Sequence, residues 1–243
     1  MSVHLIGGGR DGEAGAALLR PFVDEVLAVA GPTPVIAMLL VLEADDTTGA
    51  DRFGDLLAAA GAPAGSIRPL LVIEGQKLAP EALDGIDGLF VGGGLTPAYL
   101  DAVRGAAAGV RERVDAGMPY AGFSAGAAIA PTQALVGGYR IDGASVCPQD
   151  AGEELEEVEV RPGLGLVAFT VDVHAAQWGT LSRLCATVDA GRATYGIAID
   201  EHTSVTAAAG AVEPATVRGT GRAWRVVVHD DGVAVAAIWP HRD

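Results

Sequence analysis

The sequence predicts an α/β fold: a doubly wound, mostly parallel sheet flanked by helices in an α/β/α sandwich, with antiparallel strands at the C-terminal edge. Continuous aliphatic runs such as residues 35–42 are typical of strands buried on both faces of a parallel sheet. Helical spacing of apolar residues follows the early strands, as in repeated βα units. Half of the 243 residues are hydrophobic, which predicts one domain over residues 1–243.

Strands and helices alternate through the first half of the chain. Short apolar runs predict strands at residues 3–6, 35–42, 70–73, 88–91 and 120–123. Apolar residues at helical spacing predict helices at residues 13–30, 51–60 and 97–116, and in the alanine-rich segment between Ser124 and Pro131. In such a sheet, functional groups collect at the carboxyl ends of the strands.

The second half begins with a polar stretch at residues 137–150 and a glutamate-rich run at 153–159, which we interpret as a solvated face. Apolar residues return at 164–169 and precede a predicted helix at 177–190 and a predicted strand at 195–199. Short alternating segments separated by glycine-containing turns then predict antiparallel strands. They lie at residues 204–207, 215–217, 224–229 and 233–238.

Charge and cysteine content exclude several classes of protein. The formal net charge is −15 and no cluster of Lys or Arg occurs, so we expect no nucleic-acid partner. Cys147 and Cys185 form neither a metal-ligand spacing nor a disulfide framework, which indicates a cytoplasmic protein without a bound metal. The uncharged, largely apolar run at residues 26–42 contains Gly31, Pro32 and Pro34, so we expect no membrane span there. Homo-oligomerisation leaves no readable signal.

Ser124 lies in the pattern G-F-S-A-G, between the predicted strand at 120–123 and an alanine-rich run. This is the pattern of a nucleophile elbow, in which small flanking residues let a strained turn expose a serine hydroxyl. The free N–H groups of the following helix would stabilise negative charge that develops nearby. In a chain with 34 glycines the pattern also arises by chance.

A nucleophilic serine needs a base, and the base needs an orienting acid. Three of the five histidines lie at a strand start or in the C-terminal edge region, where structural or exposed roles are the default: His4, His229 and His241. His174 stands at a strand-to-helix junction, and His202 follows Glu201. The spacing favours His174, because a strand-end acid, Glu201 or Asp200, then remains to orient it.

Two glycine clusters follow predicted strands. Gly92, Gly93 and Gly94 come after the strand at 88–91, and their N–H groups could form half of an oxyanion hole, with the N–H of Ala125 as the other half. The residues G-x-G-x-x-G at 7–12 formally match a dinucleotide fingerprint, but the acidic residue Glu43 lies 36 positions after Gly7 instead of about 20. A dinucleotide-binding protein is therefore a minor alternative, and we expect no cofactor.

Four motifs together resemble the serine peptidase family that contains dipeptidase E and cyanophycinase. In chain order they are V-G-G-G at 91–94, G-F-S-A-G-A at 122–127, G-L-G-L at 163–166 followed by D-x-H at 172–174, and G-I-A-I-D-E at 196–201. The resemblance implies an α/β/α sandwich related to class I glutamine amidotransferases. It also implies that Ser124 is the nucleophile, His174 the base and Glu201 the orienting acid, with Gly94 and Ala125 in the oxyanion hole.

The residues around these motifs differ from those of the relatives. Val173 stands where cyanophycinases have Gln, and Trp178 and Thr180 replace two of their three arginines, so that only Arg183 remains. We name Gly93, Thr96, Trp178 and Arg183 as candidate substrate-binding residues, with Trp178 as either pocket wall or packed core.

The sequence therefore predicts a serine exopeptidase or related amidase that acts through an acyl-enzyme on a small peptide-like substrate. The alternative from another class is a binding or regulatory domain on the same fold without turnover.

Overall fold

A computed structural model describes residues 2–43 and 48–240 of the chain; His241 lies outside these ranges. The strands are β1 (Ser2–Ile6), β2 (Ile36–Leu42), β3 (Ile67–Ile73), β4 (Gly88–Val91), β5 (Tyr120–Phe123), β6 (Gln133–Gly137), β7 (Arg140–Ile141), β8 (Ala144–Ser145), β9 (Glu159–Pro162), β10 (Thr170–Val173), β11 (Tyr195–Ile199), β12 (Thr203–Ala208), β13 (Thr216–Gly219), β14 (Ala223–His229) and β15 (Gly232–Ile238). The α-helices are α1 (Gly12–Ala30), α2 (Thr48–Ala59), α3 (Thr96–Val103), α4 (Ala107–Asp115), α5 (Ala125–Ala128) and α6 (Leu181–Asp189).

The central sheet has seven strands in the order β13-β12-β1-β5-β4-β2-β3. The five strands from β1 to β3 in this order pair in parallel, whereas β12 and β13 add antiparallel strands at one edge. The prediction of a mostly parallel sheet with helices around it and antiparallel strands elsewhere is confirmed.

Strands β2 and β4 contain only apolar residues, because both faces of the central sheet are covered there. Consecutive residues of a strand belong to different cores. On β1, Leu5 packs in one cluster and Ile6 in the other, and on β2, Leu39 and Leu40 are divided in the same way. Helix α1 contributes Phe22 to the second cluster. A period of two along each strand therefore produces two buried layers, which accounts for the continuous aliphatic runs.

A second sheet, in the order β10-β11-β14-β15, was not foreseen. Strands β10 and β11 pair in parallel, and β14 and β15 extend the sheet in antiparallel fashion. The C-terminal strands are thus divided, with β12 and β13 in the central sheet and β14 and β15 in this one. Alternating residues predict that a strand forms, but its partner is chosen by contacts that are distant in sequence.

Three predicted helices are shorter than expected. The helix predicted at 97–116 is divided into α3 and α4 by a 3-10 turn at Arg104–Ala106. Helix α5 has only four residues, and Pro131 forms a bridge with Val167 instead of ending a long helix. Helix α6 begins at Leu181, because residues 174–180 form a loop with positive φ at His174 and Gly179.

Across residues 2–43 and 48–240, no helix has both the length and the apolar composition needed to cross a bilayer.

Candidate active site

Ser124 lies on a sharp turn between β5 and α5. Its backbone has φ 52° and ψ −110°, a conformation that non-glycine residues seldom adopt. The flanking glycines are required by close packing: a Cβ on Gly122 would overlap the backbone of Gly126, and a Cβ on Gly126 would overlap the carbonyl group of Val91. The geometry is that of a nucleophile elbow, as the G-x-S-x-G pattern predicted.

Three side chains form a continuous hydrogen-bonded chain. Ser124 Oγ lies 2.8 Å from His174 Nε2, and His174 Nδ1 lies 2.8 Å from Glu201 Oε1. Because an ionised carboxylate only accepts hydrogen bonds, Nδ1–H donates to Glu201, and Nε2 is left to accept the Ser124 hydroxyl proton. The structure thus brings together the nucleophile, base and acid that the resemblance implied.

The acid beside the imidazole is Glu201 and not its neighbour Asp200, a choice that spacing left open. Asp200 is buried and accepts hydrogen bonds from the N–H groups of Ala176 and Arg222 and from Trp224 Nε1. It therefore connects the loop after His174 to strand β14. The backbone N–H of Glu201 is held in turn by Gln177 Oε1 at 2.8 Å.

Burial determines the protonation state of His174. The residue is 5% exposed, and desolvation lowers the pKa of His174 below its ordinary value although Glu201 and the more distant Asp172 act in the opposite direction. The imidazole is therefore neutral at neutral pH and can act as a base. Trp178 stacks on it with a centroid distance of 3.8 Å and an interplanar angle of 7°.

The end of β1 and the loop that follows it hold the active site through backbone hydrogen bonds. The backbone N–H groups of Ser124, His174 and His202 donate to the carbonyl groups of three consecutive residues, Ile6, Gly7 and Gly8. All three donors have positive φ, between 52° and 56°. One loop therefore holds three strained backbones that come from both sheets.

Close packing against the histidines explains the first glycine cluster. A Cβ on Gly8 would overlap the ring of His174, and a Cβ on Gly9 would overlap the ring of His202. Both glycines also have φ above 100°, where side chains other than hydrogen are strained. These contacts account for Gly8 and Gly9 without a dinucleotide.

We expect Gly8→Ala to lower kcat/KM by about a hundredfold, because a displacement of His174 by roughly 1 Å is enough for such a loss. Gly12→Ala is the matched control, since a Cβ on Gly12 would meet nothing within 4 Å. Kinetics of both variants, with thermal melting to confirm folding, provide the measurement. A folded Gly8→Ala protein with wild-type kcat/KM would contradict the packing account.

The second glycine cluster forms a loop beside the nucleophile. A Cβ on Gly93 would lie 2.9 Å from Ser124 Cβ, and Tyr99 Oη donates to the Gly93 carbonyl at 3.2 Å. Burial raises the pKa of Tyr99 to about 12, so the hydroxyl keeps its proton. No acceptor among the described residues takes the N–H of Gly94 or of Ala125, so both are available to a ligand.

Gly93, Gly94 and Ser124 border a pocket of about 690 Å³. Trp178, with 43% of its surface exposed, is pocket wall and not packed core. The lining also contains two arginines that the sequence motifs did not predict, Arg10 and Arg52. Arg10 follows the glycines after β1, so its strand-end position was a usable signal, whereas Arg52 lies on α2 outside any motif. The guanidinium of Arg52 lies 5.6 Å from the ring centroid of Phe123.

Two predicted substrate-binding residues do not line this pocket. Arg183 is 3% exposed and donates to both carboxylate oxygens of Asp172, at 2.9 and 2.7 Å. The Arg183 charge is thus paired with a buried carboxylate. This corrects the prediction that Arg183 binds the substrate. Thr96 is 2% exposed at the start of α3. Gly93, Gly94 and Trp178 do border the pocket.

Within residues 2–43 and 48–240, no three side chains of the His, Cys, Asp and Glu types are arranged to hold a metal ion.

A serine elbow with its hydrogen-bonded imidazole, at the edge of an α/β/α sandwich, defines a class: hydrolases of the serine type. Comparison with protein families specifies the family. The model of peptidase family S51 matches residues 70–213, more than half of the chain and the part that carries Ser124, His174 and Glu201. The chain belongs to peptidase family S51.

Solved structures were compared with this chain, and the first one below shares its fold. A peptidase from an acI-B1 Actinobacterium aligns over 98% of this chain and 96% of its own, with a TM-score of 0.64 and 16% sequence identity. A putative peptidase E protein from Listeria monocytogenes EGD-e aligns over 98% of both chains, with a TM-score of 0.49 and 14% identity. The comparison with curated proteins gives no significant match.

Proposed function

We propose that this chain is a single catalytic domain of a serine-type exopeptidase or related amidase that cleaves an amide bond of a small peptide-like substrate. The observation that carries the proposal is the hydrogen-bonded chain from Ser124 Oγ through His174 to Glu201, inside the segment that matches the peptidase family. The proposed chemistry needs neither a metal nor a cofactor.

Acylation begins when Ser124 Oγ attacks the scissile carbonyl carbon as its proton passes to His174 Nε2. Glu201 stabilises the imidazolium that forms and keeps the ring in the correct orientation. The carbonyl oxygen becomes an oxyanion, for which the N–H groups of Gly94 and Ala125 are the proposed donors. The imidazolium then gives its proton to the leaving amine as the C–N bond breaks.

Deacylation repeats these steps with water. His174 takes a proton from a water molecule that attacks the ester carbonyl, the second oxyanion occupies the same place, and Ser124 regains its proton as the acid product leaves. One neutral imidazole with a lowered pKa serves both half-reactions.

The pocket supports a short substrate. About 690 Å³ accommodates a ligand of dipeptide size better than a folded protein loop. With a net charge of −15, the protein repels anionic peptides unless local cations offset the field. Arg10 and Arg52 are the cations of a pocket lining that also contains seven carboxylates, and we assign them to a carboxylate of the substrate, in place of the buried Arg183. Arg52 Nη2 also donates to the Gly9 carbonyl at 2.7 Å. The cytoplasmic location stays a prediction.

We expect a fluorophosphonate probe to label Ser124, because the probe reacts with a serine that a neighbouring base activates. Mass spectrometry of the labelled peptide checks the site, and Ser124→Ala should abolish labelling. Ser182→Ala, which changes an exposed serine on α6, is the matched control and should label like the wild type. Unchanged labelling in Ser124→Ala would contradict the assignment of Ser124 as the nucleophile. An unlabelled wild-type protein would favour a non-catalytic binding or regulatory domain.

A further inference from the structure

The segment that carries Glu153 reaches the catalytic pocket from the polar middle of the chain. It lies between strands β8 and β9, and Glu153 and Glu154 both have positive φ, at 54° and 61°. Two adjacent non-glycine residues in this conformation require support from their surroundings. The supporting contacts lead to two parts of the active site.

The first contact runs through Arg183 to the strand of His174. While its Nε and Nη2 bind Asp172 on β10, Arg183 Nη1 donates to the Ala151 carbonyl at 2.6 Å and to the Gly138 carbonyl at 3.3 Å. Asp172 lies two residues before His174. The Asp172–Arg183 ion pair therefore attaches the backbone at Ala151, two residues before Glu153, to strand β10, which precedes the base His174.

The second contact runs from Glu153 to the glycine loop beside Ser124. Glu153 Oε2 accepts the backbone N–H of Thr96 at 2.8 Å, although the two residues are 57 positions apart. Thr96 is the first residue of α3, and Leu95 at its N-cap offers no side-chain acceptor. Glu153 thus caps this helix from a distant segment. Burial raises the pKa of Glu153, while the Thr96 N–H and Arg183 favour its charged form.

We propose that Asp172, Arg183 and Glu153 form a positioning relay that holds the loop Gly93–Leu95, and with it the Gly94 N–H, at the distance from Ser124 that an oxyanion requires. The relay deepens the proposed function and rests on it. None of its members touches the reacting atoms; Glu153 acts through Thr96, and Arg183 acts through the backbone at Ala151. Tyr99 holds the loop at the Gly93 carbonyl, and Glu153 holds the Thr96 N–H that follows it.

The test compares two substitutions of Glu153 with a fluorophosphonate probe, whose phosphorus passes through a pentacoordinate transition state with oxyanion character as Ser124 Oγ displaces fluoride. Glu153→Asn tolerates the positive φ but is one methylene too short to reach Thr96. Its maximal labelling rate should fall about tenfold to a hundredfold while the probe's binding constant stays within about twofold, because the oxyanion exists only in the transition state. Glu153→Gln keeps an acceptor oxygen at the original length and should stay within about threefold of the wild type.

Glu156→Gln is the matched control, because it removes one charge from the same segment at a side chain that is 77% exposed. It should label at the wild-type rate, and thermal melting verifies that each variant is folded. A folded Glu153→Asn protein that labels at the wild-type rate would overturn the relay. So would a Glu153→Gln protein as slow as Glu153→Asn, since the acceptor oxygen would then be irrelevant.

Amide hydrogen exchange tests the relay even if the wild-type protein reacts with no probe, which would count against the proposed function alone. The Thr96 amide should exchange at least about tenfold faster in Glu153→Asn than in the wild type, because its acceptor is gone. Equal exchange rates in the two proteins would overturn the relay.

Discussion

Replacing His174 with alanine is expected to lower kcat/KM by roughly four to six orders of magnitude, because a serine hydroxyl without a base is a poor nucleophile and members of a triad act as a unit. The structure supports this size of effect through the 2.8 Å contacts on both sides of the ring. Hydrolysis of a dipeptide and isopeptide library by the purified variant provides the measurement, with the substrate that the wild type cleaves best as the reference.

Two other histidines serve as comparisons. His202 borders the pocket and should cost at most about tenfold when changed to alanine, whereas His229→Ala, at an exposed strand end, should change nothing. The acid limb of the wild-type kcat/KM profile should lie below the ordinary imidazole pKa of about 6.5, since burial disfavours the charged ring. A larger loss in His202→Ala than in His174→Ala would move the base to His202.

Replacing Arg183 with methionine is expected to lower the free energy of unfolding by about 3–5 kcal/mol, the usual cost of leaving one charge of a buried ion pair without its partner. Asp172 is 1% exposed, so water cannot solvate its carboxylate once the guanidinium is removed. Methionine keeps much of the volume of the side chain and avoids a large cavity. Chemical denaturation of the variant and the wild type measures the difference.

The double variant Asp172→Leu with Arg183→Met distinguishes an unpaired charge from lost packing. With both charges removed, at least half of the lost stability should return, because apolar replacements of a buried pair are often neutral. Arg225→Met is the control for a surface pair, whose 3.6 Å contact with Glu213 is exposed and should contribute less than about 1 kcal/mol. A stable Arg183→Met protein would show that the pair is dispensable.

The local sequence pattern was sufficient to predict the parallel strands of the core and the serine elbow. The strands Gly88–Val91, Tyr120–Phe123 and Tyr195–Ile199 begin and end where the sequence predicted, because short aliphatic runs bounded by turn residues leave little choice. Ser124 was predicted from its flanking glycines. They are required because Gly122 contacts the backbone of Gly126, and Gly126 contacts the Val91 carbonyl group at the end of the neighbouring strand β4.

From residue type and strand-end position, the sequence predicted that Ser124, His174 and an acid lie at the same edge of the sheet. These signals could not distinguish Glu201 from Asp200 as the acid, and they did not show that Arg183 is buried. Those choices depend on where each side chain points after β10 and β11 pair and β14 adds to them. Asp200 accepts hydrogen bonds from donors at the start of β14, and Arg183 donates to one carboxylate and two carbonyl groups. None of these partners is adjacent in sequence. The sequence by itself determined the chemical groups at the site. The tertiary structure decided which of them face the pocket, because burial leaves each polar group only the partners that the packed chain brings within hydrogen-bond distance.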